Sequence, residues 1–196
     1  NLLLTMFLLL SSHSAYACYD ESQSGKAKFD NCLPLAEQGV ASAQFNLGAM
    51  YNSGQGVTQD YKQAVKWYRK AAEQGVVKAQ FNLGNMYNSG QGVTQDYKQA
   101  EKWYRKAAEQ GLAFAQVNLG FMYGMGQGVV QDYKSAHMWF NIAAANENSK
   151  KGVENGEIMK VKDMARENRD IIAKEMTPSQ IEKAQDMARE WMKKHP

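Results

Sequence analysis

Residues that do chemistry are scarce in this chain. It holds two cysteines and three histidines, and Cys18, Cys32, His13, His137 and His195 show no spacing that would gather ligands around a metal ion. No G-x-S-x-G, H-E-x-x-H or S-x-x-K run is present, so the common signatures of activated serines and catalytic zinc are missing. The glycine-rich segments Gly54-Gln55-Gly56 and Gly124-Met125-Gly126-Gln127-Gly128 lack the G-x-G-x-x-G order and follow no strand, which removes the dinucleotide-loop reading. Charge of either sign is not in excess: the net value is +3, too mild a balance to imply a nucleic-acid partner. The apolar run from Leu2 to Leu10 is shorter than the roughly 20 residues a bilayer-spanning helix needs. No catalytic residue, metal or cofactor is expected, and the chain reads as a non-enzyme.

What the chain has instead is repetition. AEQGVASAQFNLGAMYNSGQGVTQDYKQAVKWYRKA, residues 36–71, recurs with few changes at 72–107 and more loosely at 108–143, a period of 36 residues. A period of that size marks units that cannot bury their own apolar face and must stack on their neighbours. Within the first unit Ala43, Leu47, Met50 and Tyr51 share one helical face. The turn Asn52-Ser53-Gly54-Gln55-Gly56-Val57 then stops that helix, and a second one from about residue 59 to 73 carries Tyr61, Ala64, Trp67, Tyr68, Ala71 and Ala72 inward. Gly48 costs about 1 kcal/mol in mid-helix relative to alanine. Gly84 and Gly120 repeat it, and we expect close approach of the paired helix at Ala64. Lys66-Trp67-Tyr68-Arg69-Lys70 and Lys102-Trp103-Tyr104-Arg105-Lys106 interleave basic and aromatic residues, but the helical period sends rings inward and charges outward, a solvated face. Asp60, Asp96 and Asp132, with Glu37, Glu73 and Glu109, recur once per copy, which suits caps and inter-repeat hydrogen bonds better than an acid/base pair.

A-x-A-Q-x-x-L-G-x-M-Y-x-x-G-x-G-V, D-Y-x-x-A-x-x-W-Y and A-A-E-Q-G together resemble the Sel1-like repeat family, relatives of tetratricopeptide repeats with a longer inter-helix turn. The resemblance covers residue 36 to about 145. It implies an all-α, right-handed α-solenoid of helix-turn-helix repeats with helical caps. The expected divisions are a leader at 1–17, an N-terminal cap at 18–35, three repeats at 36–71, 72–107 and 108–143, and a C-terminal cap at 144–196.

The ends of the chain carry their own signals. The apolar run, Ser11, Ser12 and Ala15-Tyr16-Ala17 read as the later part of a secretory leader with an A-x-A cleavage site, giving a periplasmic or secreted protein. Cys18 and Cys32 would then meet an oxidising compartment and pair, stabilising the repeat end by about 3 kcal/mol in the chain-entropy model. Unpaired thiols, or a lipid anchor on Cys18, are the alternatives; the latter fits less well because Ala15-Tyr16-Ala17 departs from a lipobox. Beyond Ala145, residues 146–152 read as a polar link. A charged helix from about Glu157 to Met176 offers Ile158, Val161, Ala165, Ile171 and Ile172 for burial. Thr177, Pro178 and Gln180 open a last helix with a capping box, and Ile181, Ala184, Ala188 and Trp191 give it one apolar stripe.

The first two copies differ at Ala41/Val77, Ser42/Lys78, Ala49/Asn85 and Val65/Glu101, and two of these four lie beside the core face of the first helix. In related tetratricopeptide repeats the matching stripe lines a concave, peptide-holding groove. Here the resemblance assigns it to Ser42, Phe45, Ala49 and Asn52, to Lys78, Phe81, Asn85 and Asn88, and to Phe114, Val117 and Phe121. Packing between repeats is the other role open to Phe45 and Phe81. The family commonly supplies adaptors in envelope or secretory complexes, so the expected function is an exported protein-interaction scaffold with a protein or peptide partner. The alternative is β-lactam binding or weak turnover, as associated with cysteine-rich relatives, although the repeats here contain no cysteine.

Overall fold

The computed structural model describes residue 18, residues 24–146 and residues 155–195. The leader reading of residues 1–17, and most of the expected link, lie outside them. The described residues are helical with no strand, and they fall into two compact units, Asn1–Gln95 and Asp96–Pro196. In the first unit α1 (Gly25–Glu37), α2 (Ala41–Ser53), α3 (Tyr61–Glu73) and α4 (Val77–Ser89) each pack on the next. In the second, α5 (Tyr97–Glu109), α6 (Ala113–Met125) and α7 (Tyr133–Ala145) do the same, while α8 (Asn155–Ala173) packs on α7 and α6, and α9 (Pro178–Lys194) on α7.

The repeating sequence produces a repeating set of helix ends. Gly54, Gly90 and Gly126 lie in the left-handed region, and their N–H groups donate to Met50, Met86 and Met122, closing α2, α4 and α6. After the turn, Asp60 accepts from the N–H groups of Lys62 and Gln63 at 2.9 and 3.0 Å, and Asp96 makes the same pair with Lys98 and Gln99. These aspartates are N-caps, each satisfying helix-start donors that have no partner inside the helix. Gln59, Gln95 and Gln131 brace the turn by donating to the carbonyls of Asn52, Asn88 and Gly124.

Two further devices hold neighbouring helices. Gln44, Gln80 and Gln116 are buried, and their amides donate at 3.1 Å to the carbonyls of Ala36, Ala72 and Ala108 in the preceding helix. Gln74 adds bonds to Gly39 O and Gln44 Oε1, and Asn146 makes the matching pair with Gly111 O and Gln116 Oε1. The mid-helix glycines serve aromatic rings. A Cβ on Gly48 would lie 2.6 Å from the Tyr68 ring, and one on Gly120 the same distance from Phe140. The expected close approach of the paired helix is thus made to the Tyr68 ring, one helical turn beyond Ala64.

At the start of the first unit, Cys18 and Cys32 form a disulfide. Both are buried with Leu35, Ala36, Ala43, Leu47 and Trp67, so the link ties the chain ahead of α1 into the same apolar cluster. Replacing both cysteines by serine is expected to cost about 3 kcal/mol in urea denaturation, the loop-closure value for about 15 residues. A loss below about 1 kcal/mol would show that the packed cluster alone holds this segment.

At the other end, α8 buries Ile158, Val161 and Ala165, whereas Ile171 is 51% exposed, contrary to the burial expected of it. The helical period turns residue 171 away from the face that Ile172 directs to Gly124. Thr177 and Gln180 form a reciprocal capping box on α9. Ala184 and Ala188 are buried, and the Trp191 ring meets Trp139 edge-on at 5.4 Å.

Candidate binding surface

Exposure of an aromatic at a helical-repeat surface is decided by what the next element covers. In the first unit α2 carries Ser42, Phe45, Ala49 and Asn52, all half-buried. Phe45 packs its ring 5.8 Å from Tyr68, so part of its area already belongs to the α2–α3 interface. On α4 Lys78 is exposed, while Phe81, Asn85 and Asn88 are half-buried. These eight positions put aromatic area, amide groups and one ammonium at the surface of a single unit.

The second unit treats the corresponding positions differently. Val117 is 1% exposed and belongs to the cluster of Ala136, Phe140, Val161 and Ala165. Phe114 and Phe121 pack against that cluster beside Met164 and Ile172, and Phe121 meets Phe140 edge-on at 5.3 Å. Of the expected partner-binding residues, Val117 is therefore core, while Phe114 and Phe121 are half-buried, as the first-unit positions are, and pack against the cluster that α8 completes. The physical reason is the intramolecular helix: aliphatic side chains of α8 remove from water the area that the sequence pattern left for a partner.

Basic and aromatic residues separate as the helical period requires. Trp67, Tyr68, Trp103 and Tyr104 are buried, with Lys70 over the Trp67 ring at 4.5 Å and Lys106 over Trp103 at 5.0 Å from the solvent side. Burial pushes the Tyr68 and Tyr104 hydroxyls up to about 12, opposed by hydrogen bonds from Asn82 and Asn118. Such phenols stay protonated at neutral pH and serve as core groups. Arg69 donates to the Tyr87 hydroxyl, and Arg105 to that of Tyr123 at 2.6 Å while also pairing with Glu101. Among the described residues no group of His, Cys, Asp and Glu is placed to hold a metal ion, and no helix is long and apolar enough to cross a membrane.

Besides the three buried glutamines, sequence reasoning missed one buried histidine. His137 stands where Val65 and Glu101 stand in the other copies, and it is 2% exposed on the side of α7 that faces α8. The signal was available: a histidine at a position that is apolar in the first copy and ion-paired in the second.

Paired 13-residue helices, glycine-closed turns and buried inter-helix glutamines recurring every 36 residues define a tandem helical-repeat protein of the α-solenoid class. Three successive windows, 41–76, 77–112 and 113–148, match the Sel1 repeat. The chain belongs to the Sel1-repeat family, whose members generally serve as protein-interaction scaffolds, typically without enzymatic activity. The matched windows start at the first residues of α2, α4 and α6. Among solved structures it is similar to a protective antigen present in uropathogenic Escherichia coli strains displaying an SLR fold, with 37% identity, a TM-score of 0.79 and coverage of 94% of this chain. The chain spans only 38% of that protein's length. It is also similar to a Sel1 repeat protein from Oxalobacter formigenes, with 31% identity, a TM-score of 0.62, and coverage of 86% of this chain and 77% of the other. Comparison with curated proteins gave no significant match.

Proposed function

We propose that the protein is an exported, non-enzymatic adaptor that captures a protein or peptide partner on the face of α2 and α4 in its first unit. The observation that carries this reading is that one unit presents Lys78 exposed and Ser42, Phe45, Ala49, Asn52, Phe81, Asn85 and Asn88 half-buried, whereas Val117, at the position of Phe45, is buried in the cluster that α8 completes. Half-buried aromatic rings supply contact area at low entropic cost, and the amides and the ammonium can bond a peptide backbone or a carboxylate. The proposed site is these eight first-unit residues; Val117 is left out because it is buried, and half-buried Phe114 and Phe121 because they lean on the same cluster. Export is supported by the leader-like residues 1–17 and by the Cys18–Cys32 disulfide, which suits an oxidising compartment. The related E. coli protein is described as a protective antigen, a role that fits a molecule within reach of antibodies.

Crosslinking in cells tests the proposal. A variant with Asn52→Ala, Lys78→Glu and Asn88→Ala changes one exposed and two half-buried side chains of this face and leaves the helix caps and the buried glutamines intact. Circular dichroism should be unchanged, and affinity for a partner captured by the wild type should fall by on the order of tenfold to a hundredfold, as expected when polar contacts of an interface are removed. Equal capture by both would place binding elsewhere.

A further inference from the structure

The adaptor surface makes no use of His137, a buried titratable group on α7. Three side chains join α7 to α8 there. Arg169 of α8 donates from Nη1 to Asn141 Oδ1 at 3.3 Å, and the Nδ2 of the same amide lies 3.1 Å from His137 Nδ1. Because Arg169 can only donate, it orients the Asn141 amide with its oxygen outward, leaving the NH2 to donate to the ring. Nδ1 of His137 must then carry a lone pair, so the imidazole is neutral with its proton on Nε2. A second proton, on Nδ1, would set two donors face to face. Turning the amide over restores that bond but aims the NH2 at the guanidinium, so a protonated His137 cannot satisfy both ends of the chain.

We propose that His137, Asn141 and Arg169 form an acid-released latch that holds α8 against α6 and α7, and that its release uncovers Phe114, Val117 and Phe121. The charged groups acting on His137 come from α8: Arg169, and Asp170, which pairs with Arg169 at 2.8 Å. The ionisable residue of α6 is Tyr123, whose hydroxyl accepts from Arg105. From α9 the buried residues are Ala184 and Ala188, and its charged side chains are exposed. Burial first, and Arg169 second, push His137 below the usual imidazole range, with Asp170 opposing. Its folded value is therefore depressed, so the released form binds more protons once pH falls below about 6.5. Release is favoured progressively below that point and levels off below the latched-state value. The effect on partner capture rests on the adaptor reading, whereas the latch does not.

Hydrogen–deuterium exchange on the full chain, without any partner, reads the latch directly. Between about pH 7 and about pH 4.5, after correction for intrinsic exchange, amides of α8 should lose on the order of tenfold or more in protection while those of α2 and α3 keep theirs. The His137→Val variant, which places here the residue found at position 65, should hold α8 protected at both pH values. In the wild type, the midpoint of α8 release should coincide with titration of the His137 ring followed by NMR, a readout that does not depend on any variant folding. Unchanged α8 protection in the wild type, acid release undiminished in His137→Val, or a ring that titrates while α8 stays protected would each overturn the proposal. Partner binding without a latch, or a latch without partner binding, would separate this inference from the adaptor reading.

Discussion

Gly92→Ala is expected to destabilise the first unit by about 3 kcal/mol or more, far beyond the ordinary cost of alanine at a glycine turn. Gly92 has φ of +70°, and a Cβ there would sit 2.3 Å from the Tyr61 carbonyl oxygen and 2.4 Å from its carbon. Left-handed backbone alone costs a non-glycine residue about 1–2 kcal/mol. The clash adds an overpacking term of about 1–3 kcal/mol, and backbone at the start of a helix has no rotamer with which to move aside. Gly75→Ala is the control, since its φ is +89° and nothing lies within 4 Å of its Cβ position. That variant should lose only about 1–2 kcal/mol in urea denaturation. Equal losses would show that strain, and not the close approach, is what the second turn glycine provides. Gly56 against Gly25 and Gly128 against Tyr97 make the same approach, so the effect should recur in each copy.

That contact explains why the turn glycines looked like a motif and are one only in a structural sense. The 36-residue period, the turn, the aspartate caps and the Thr177 capping box were legible because each depends on local sequence. Residues that meet across helices were less so. Gly48 could be recognised as a close-approach site, but its partner could not, because Ala64 and Tyr68 lie one turn apart on the same face of α3 and only packing decides between them. Gln44, Gln80 and Gln116 stood in every copy of A-x-A-Q, yet an amide looks solvent-directed until the carbonyl it satisfies is placed beside it.

The stripe loses Val117 to the core where the repeat pattern ends. Residues 114, 117 and 121 occupy the same helical positions as 42, 45 and 49, and nothing within the third copy distinguishes a surface stripe from a buried one. The difference comes from α8, a segment outside the repeat whose docking periodicity does not encode. Ile171 and Ile172 make the same point from the other side. Both are aliphatic and adjacent, and only the geometry of docking selects which of them turns inward to be partly buried.

Phe140→Ala should test how far this end of the molecule depends on one ring. Phe140 is fully buried, lies on Gly120, meets Phe121 edge-on and belongs to the cluster that includes Val161 and Ala165 of α8. Truncation leaves a cavity that the surrounding helices cannot readily close, because the vacated ring has a backbone without Cβ on one side. A cost of about 3–5 kcal/mol is expected, read as a shift in the denaturation midpoint of the second unit. Two companions locate the origin of the loss. Gly120→Ala alone should cost about 1–3 kcal/mol by overpacking against an immobile ring. Combining it with Phe140→Leu should cost less than the two single changes added together, since the shorter side chain vacates part of the space that the new Cβ needs. Strict additivity would mean that Gly120 and Phe140 do not act as a pair. Exchange of the α8 amides in Phe140→Ala supplies the remaining discrimination. If α8 loses protection at neutral pH, the cluster around Phe140 holds it as much as the polar chain through His137 does. If it stays protected, Ile158, Ala165 and the Arg169–Asn141 bond suffice, and the loss of stability is confined to the contact between α6 and α7.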